Sequence, residues 1–454
     1  MKHNIGEELT SITTIDGRYK QKVLELSEFV SEFALIKLRL KIEISYLAAL
    51  SKSKITRPLT NVEQGYLLDL ASDFSLSNAI KVKKIEEDIV NDVRSLEIFT
   101  RKKLSKTSLK DILEFYHFGL TSDDVNNIAY RLMLKKSVSE VMVPILKAII
   151  DELDEFSKKH KRTVILGRTH GQPAVPTTFG KEFAVFASRL KKELKNLTKQ
   201  KLTGKLNGAV GNFNAVHFVY PGVDWIKFSK EFVSSFGLTP NLITTQINPY
   251  EDVIALFQIL QRINGILLDF NQDVWRYISD GWLKYKVSDK EVGSSTMPQK
   301  LNPIDFENSE GNLCIANGLT QAMIDKLYVS RLQRDLSNST IIRNLGTALA
   351  YCLLSYKNVL SGIRKIDIDT QKTDEKLYEN WAILSEALQT ILRSKNFHNA
   401  YEVVALISKG QKFDKKDWKE LVNSLKIPET DKQNLLELSP QRYVGIAPKL
   451  VGKS

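Results

Sequence analysis

Apolar positions recur every three or four residues over unusually long stretches of this chain. Val253, Leu256, Phe257, Leu260, Ile263, Leu267, Phe270, Val274 and Tyr277 form one such stripe, the spacing that gathers side chains onto one face of an α-helix. Asn248-Pro249 precedes it, a capping residue followed by the imino acid favoured in a first helical turn. The pattern predicts a helix of roughly 35 residues running toward Lys286. Phe179, Phe183, Phe186, Leu190, Leu194 and Leu197 repeat the spacing, as do segments 123–160 and 305–330. Strand-like alternation is nearly absent. Prolines cluster at Pro173 and Pro176, Pro240 and Pro249, Pro298 and Pro303, and again from Pro428 onward, with none between Pro303 and Pro428, so long helices are expected in the gaps.

Helices of this length bury a full stripe only against partner helices along their whole length, so the fold class is all-α: a long helical bundle, with subunits sharing it. Soft boundaries near residues 115 and 365 divide the chain into an N-terminal helical domain (1–115), a central long-helix domain (116–365) and a C-terminal helical domain (366–454), the polar stretch 367–374 marking the second boundary.

Composition adds exclusions. With 43% hydrophobic and 26% charged residues among 454, the chain is neither disordered nor fibrous. The polar start at Met1 carries no apolar signal core, and no apolar run approaches the roughly 20 residues that span a bilayer, so a cytoplasmic protein without membrane partners is expected. Cys314 and Cys352 stand apart in apolar helical patterns and read as buried thiols in a reducing compartment. The net charge of +12 favours anionic partners. Lysines such as Lys81, Lys83, Lys84, Lys191, Lys192 and Lys195 are scattered without aromatic interleaving, which fits solvated helix faces and a small polyanionic substrate better than nucleic acid.

Between the helices lie short loops dense in polar groups. Gly293-Ser294-Ser295-Thr296-Met297-Pro298-Gln299-Lys300-Leu301-Asn302-Pro303 combines small residues, two adjacent serines, a cation and an amide, the makings of a loop that closes over a carboxylate. Asp16-Gly17-Arg18-Tyr19 offers a turn, a guanidinium and a phenol. In His117-Phe118-Gly119-Leu120-Thr121-Ser122-Asp123-Asp124 the hydroxyls precede a helix, where capping and ligand binding are equally good readings. Gly167-Arg168-Thr169-His170-Gly171-Gln172-Pro173 sets a histidine in a glycine-flanked loop, a position more often structural than catalytic. Arg331, Arg334 and Arg343 surround Asp335, Ser337, Asn338, Ser339 and Thr340, either an ion-paired helix or a phosphate grip.

The order Ser-Ser-x-Met-Pro-x-Lys-x-Asn-Pro resembles the signature loop of the fumarase/aspartase superfamily. The run from Arg331 to Thr340 followed by Arg343-Asn344-Leu345-Gly346, and Ile304-Asp305-Phe306-Glu307-Asn308-Ser309-Glu310-Gly311-Asn312-Leu313, are similar to its adenylosuccinate lyase family, of the longer bacterial type, over nearly the whole chain. That resemblance implies a three-domain homotetramer with a twenty-helix core, active sites shared between subunits, purine nucleotide substrates and fumarate elimination without a metal or organic cofactor. By similarity, Ser294 would be the base, with Ser295 the runner-up, and His170 the acid. Lys300 and Asn302 would hold the succinyl carboxylates, and Arg18, Tyr19, Arg334, Ser339, Thr340 and Arg343 the phosphate and ribose. Asn91, Asp92, Thr121, Ser122, Thr169, Gln246 and Asn308 would complete the pocket.

Two departures stand out. Val90-Asn91-Asp92-Val93 places asparagine where the family has histidine, so that side chain hydrogen-bonds but delivers no proton. Gln299 stands where these lyases carry histidine. The alternatives are a sister lyase acting on argininosuccinate or malate, a catalytically silent scaffold, or a basic nucleic-acid binder.

Overall fold

The computed structural model describes residues 5–286, 297, 300–405 and 413–453. It is 68% helical. Among the described residues, strands are two or three residues long and form four two-stranded pairs. The helices used below are α1 (Glu32–Lys52), α2 (Asp92–Leu104), α3 (Ser122–Ser137), α4 (Val143–Lys159), α5 (Phe179–Lys199), α6 (Glu251–Ser279), α7 (Ile304–Leu327), α8 (Ser337–Ile342) and α9 (Leu345–Lys365). The chain divides into two compact units: Met1–Ile145, Glu193–Asn264 and Gly311–Ser355 in the first, Leu146–Lys192, Gly265–Glu310 and Tyr356–Ser454 in the second.

In the first unit α1 packs on α3, and the N-terminal helices close a core of Leu40, Leu47, Leu67, Phe74, Val82, Leu96, Phe99 and Leu104. Burying each such side chain contributes about 1.5–3 kcal/mol. Ser31 caps α1 by accepting from Ala34 N at 3.2 Å. Helix α3 is buried on nearly every face, from Asp123 to Leu134. In the second unit the core is aromatic: Phe156 stacks on Phe183 at 4.0 Å, Phe183 meets Phe270 edge-on at 5.4 Å, and Phe270 meets Phe306 at 6.1 Å. Gly362 is required there, because a Cβ would lie 2.6 Å from the Phe306 ring.

The structure revises the sequence reading at four points. Helix α6 spans 29 residues, shorter than expected. It stops because Gly281, at φ +73°, turns the chain, and β1 (Leu283–Tyr285) then pairs antiparallel with β2 (Ile366–Ile368). The single helix expected over 123–160 carries a π-turn at Val138–Met142 between α3 and α4. Pro144, lacking an N–H and crowding the preceding turn, breaks the regular ladder there. Cys352 is buried as expected, but Cys314 lies on the exposed side of α7. By length and composition α6 is apolar enough to cross a bilayer, yet 61% of its most apolar window is buried in the protein. Its buried amides also bond to neighbours, Asn264 Nδ2 to Asn317 Oδ1 at 2.8 Å and Asn271 Nδ2 to Ser309 Oγ at 2.9 Å, which marks a core helix.

Candidate functional site

The first unit gathers its polar groups around the start of α3. Asp124, fully buried, ties two segments together. Its Oδ2 accepts from Thr121 N at 2.9 Å, its Oδ1 accepts from Asn207 N at 3.0 Å, and buried Lys205 Nζ lies 3.2 Å from Oδ1. Lys205 Nζ also donates to Gly208 O at 2.8 Å. A charge pair this deep is tolerated because every arm finds a partner. The network fixes Thr121 and Ser122 at the helix mouth, where Gln246 Nε2 donates to Thr121 Oγ1 at 3.2 Å. The sequence reading missed Asp124 and Lys205. Their nearest signal was the glycine-rich run after Lys205, in which Gly211 sits at φ +82° with Thr244 O 2.2 Å from where a Cβ would be.

Arg334 reaches the same helix mouth. Its Nη1 donates to Ser122 Oγ and its Nη2 to Ser339 Oγ, both at 3.2 Å. Asp335 holds the turn ahead of α8 by accepting from Arg331 N at 3.0 Å and Ser337 N at 2.8 Å. Thr340 is exposed on α8. Arg343, also exposed, points its Nη2 at Asp92 Oδ2, 3.2 Å away, and Arg39 Nη2 grips the same oxygen at 2.7 Å. Burial pushes the Asp92 carboxyl up, but Arg39 and Arg343 outweigh it and hold it below the usual range. Asn91 is the N-cap of α2, its Oδ1 accepting from Arg94 N at 2.9 Å. The asparagine at this departure from the family pattern therefore has a structural partner in its own helix. Arg18 is exposed, its guanidinium 5.9 Å above the Tyr19 ring. Gly17 ahead of it leaves room for Glu8 O, which would lie 2.8 Å from an added Cβ.

The second unit carries a separate set. Arg168–Thr169 and Gln172–Pro173 form a hairpin closed by two residues, His170 at φ +52° and Gly171 at φ +74°. Two successive left-handed residues make the tight turn whose twist matches a hairpin, and glycine takes the second position without strain. Histidine in the first is held by the hairpin around it, the kind of local strain that clusters at functional sites. Arg168 anchors the base, its Nη1 2.6 Å from Asp280 Oδ2 and its guanidinium 4.4 Å from the Trp282 ring. His170 and Thr169 are exposed at the tip. Lys300 is exposed without an ion-pair partner among the described residues, and Asn302 is half-buried, its carbonyl accepting from Ile304 N at 2.8 Å as α7 begins. Asn358 Nδ2 donates to Asn308 Oδ1. Ser294, Ser295 and Gln299 lie outside the described residues. The structure thus brings Thr121, Ser122, Gln246, Arg334 and Ser339 into one bonded group, and Asp92 with Arg343 into another.

A lyase family model matches residues 17–318, and an adenylosuccinate lyase C-terminal model matches residues 330–444. The chain is 44% identical over 448 residues to an adenylosuccinate lyase of Legionella pneumophila (strain Corby), covering 98% of both chains. It is 39% identical over 447 residues to that of Escherichia coli (strain K12), again covering 98% of each. Among solved structures, β-carboxy-cis,cis-muconate cycloisomerase of Acinetobacter calcoaceticus sp. ADP1 superimposes with a TM-score of 0.75 at 15% identity, over 96% of this chain and 99% of that one. A fumarate lyase from Mesorhizobium sp. BNC1 gives 0.74 at 17% identity, over 95% and 97%. At such identities these two speak for the fold alone.

Proposed function

The chain belongs to the adenylosuccinate lyase family, and on that premise we propose how its side chains divide the work of eliminating fumarate. The enzyme is a carbon–nitrogen lyase of purine biosynthesis. It eliminates fumarate from adenylosuccinate, leaving AMP, and from the succinylated aminoimidazole carboxamide ribotide, leaving the free carboxamide.

Elimination takes a proton from the carbon beside a carboxylate. The C–H electrons become the new C=C bond, the C–N bond breaks, and the departing nitrogen takes up a proton. Ser294 is the base in this account and His170 the acid, since an imidazolium donates readily near neutral pH. The exposed hairpin tip of His170, fixed at its base by Arg168, supports that role. Lys300 and Asn302 hold the succinyl carboxylates, and Lys300 carries no competing carboxylate among the described residues. Asn91 contributes a hydrogen bond at most, because its carbonyl oxygen is already engaged in capping α2. We further assign a homotetramer with active sites shared between subunits, a cytoplasmic location, and the three-domain division 1–115, 116–365 and 366–454.

The observation that carries the nucleotide assignment is Arg334, a half-buried guanidinium whose hydrogen-bond partners among the described residues are two neutral hydroxyls, Ser122 and Ser339. A permanently charged fork bonded to hydroxyls, with no ion-paired carboxylate among the described residues, is prepared for an anion such as the substrate phosphate. Arg334→Ala and Arg343→Ala should each raise KM for the nucleotide substrate about 10- to 100-fold, the worth of a charged hydrogen bond. The loss should shrink toward none with a dephosphorylated analogue, whose phosphate is already missing. Steady-state kinetics on both substrates checks this; equal losses would assign the arginines to structure.

A further inference from the structure

Asp123 is 3% exposed, yet its Oδ2 has no hydrogen-bond partner among the described residues. Beside it in sequence, Ser122 accepts from Arg334, whose own Nε is buried and likewise without a partner. Asn338, next to the Ser339 that also receives Arg334, is 2% exposed and has an unpartnered Nδ2. Three polar groups without a partner among the described residues thus occur on two segments that Ser122, Arg334 and Ser339 join. Buried polar groups are rarely left unsatisfied, and a cluster of them asks for an occupant. Burial pushes the Asp123 carboxyl up, while Arg334, Lys205 and Arg131 pull it back in that order of strength. Asp124, the neighbouring acid, is instead fully engaged by Thr121, Asn207 and Lys205, so the two adjacent carboxylates have different employment.

We propose that Asp123 is a further substrate-binding residue, its carboxylate accepting a hydrogen bond from a ribose hydroxyl of the nucleotide while Arg334 faces the phosphate. This rests on the reading of the Arg334 group as the nucleotide site. A carboxylate repels the phosphate itself, so the group it takes must be an uncharged donor. In a nucleotide held by its phosphate, the sugar hydroxyls come next, and acidic side chains are established partners for them. Neither composition nor motif singled the residue out.

The test is equilibrium binding of AMP, 2′-deoxy-AMP and 3′-deoxy-AMP to the full-length protein by calorimetry, which does not depend on turnover. One deoxynucleotide should bind the native protein about 10- to 100-fold more weakly than AMP. In Asp123→Ala, which removes the acceptor, that ratio should fall to within about threefold, because AMP loses the same bond. Asp123→Asn, which keeps a neutral carbonyl acceptor in the same place, serves as a second variant, in which the ratio should fall to an intermediate value. Equal binding of all three nucleotides to the native protein, or an unchanged ratio in the variants, would overturn the role of Asp123 and leave the nucleotide site standing. Failure of AMP itself to bind would overturn both.

Discussion

Replacing Ser294 or His170 by alanine is expected to lower turnover by about 10²- to 10⁴-fold each, the usual range for losing a positioned proton acceptor or donor. Substrate affinity should change little, since neither group is asked to hold the nucleotide. Single-turnover and steady-state measurements separate the two effects. Near-normal turnover in either variant would remove that residue from the mechanism. Because the two residues are proposed to serve shared sites, mixing the inactive variants and allowing subunits to exchange should restore part of the activity through hybrid sites. No recovery after verified exchange would argue that each subunit supplies its own complete set.

The second large effect concerns stability. Arg131 is fully buried in α3, and Asp252 at the start of α6 receives its Nε at 2.8 Å and its Nη2 at 2.9 Å. Asp252 also accepts from Thr203 N at 2.7 Å and Thr203 Oγ1 at 2.9 Å. Asp252→Ala leaves a buried guanidinium without its counter-charge and should cost about 3–5 kcal/mol, read from denaturant unfolding. Burial alone would raise the Asp252 carboxyl, but Arg131 and Thr203 outweigh it and hold it below the ordinary value. Its contribution is therefore present above the unfolded carboxylate range near pH ~4 and lost as pH falls through the lower folded value. The native-minus-variant difference in stability should shrink in acid accordingly. A difference below about 1 kcal/mol at neutral pH would mean that the pair is dispensable.

Long helices were legible in the sequence because their apolar stripes repeat over many turns, as from Val253 to Tyr277. Their ends were less so. The stop after Ser279 depends on Gly281 and on pairing with Ile366–Ile368, a partner more than eighty residues away that a three-residue strand cannot announce. The π-turn before Pro144 was not read from the sequence, because the apolar spacing continues on both sides of that proline. In the site, arginines and hydroxyls near residue 334 were readable as a phosphate grip or an ion-paired helix, and only the fold shows that Arg334 meets Ser122 more than two hundred residues earlier. Asp123 and Asp124 look alike in sequence, ordinary acids in a first helical turn. Both are buried in the fold, and only their partners separate the one that anchors the Lys205 segment from the one whose Oδ2 has no partner among the described residues. The roles given to Ser294 and His170 came from resemblance, and no periodicity or spacing would have supplied them.

The most direct test of the account is fumarate release from the purified protein offered adenylosuccinate, argininosuccinate and malate in parallel. Rapid release from adenylosuccinate and none above background from the other two is the expected result. Release from argininosuccinate or malate in place of adenylosuccinate, or from none of the three, would contradict it.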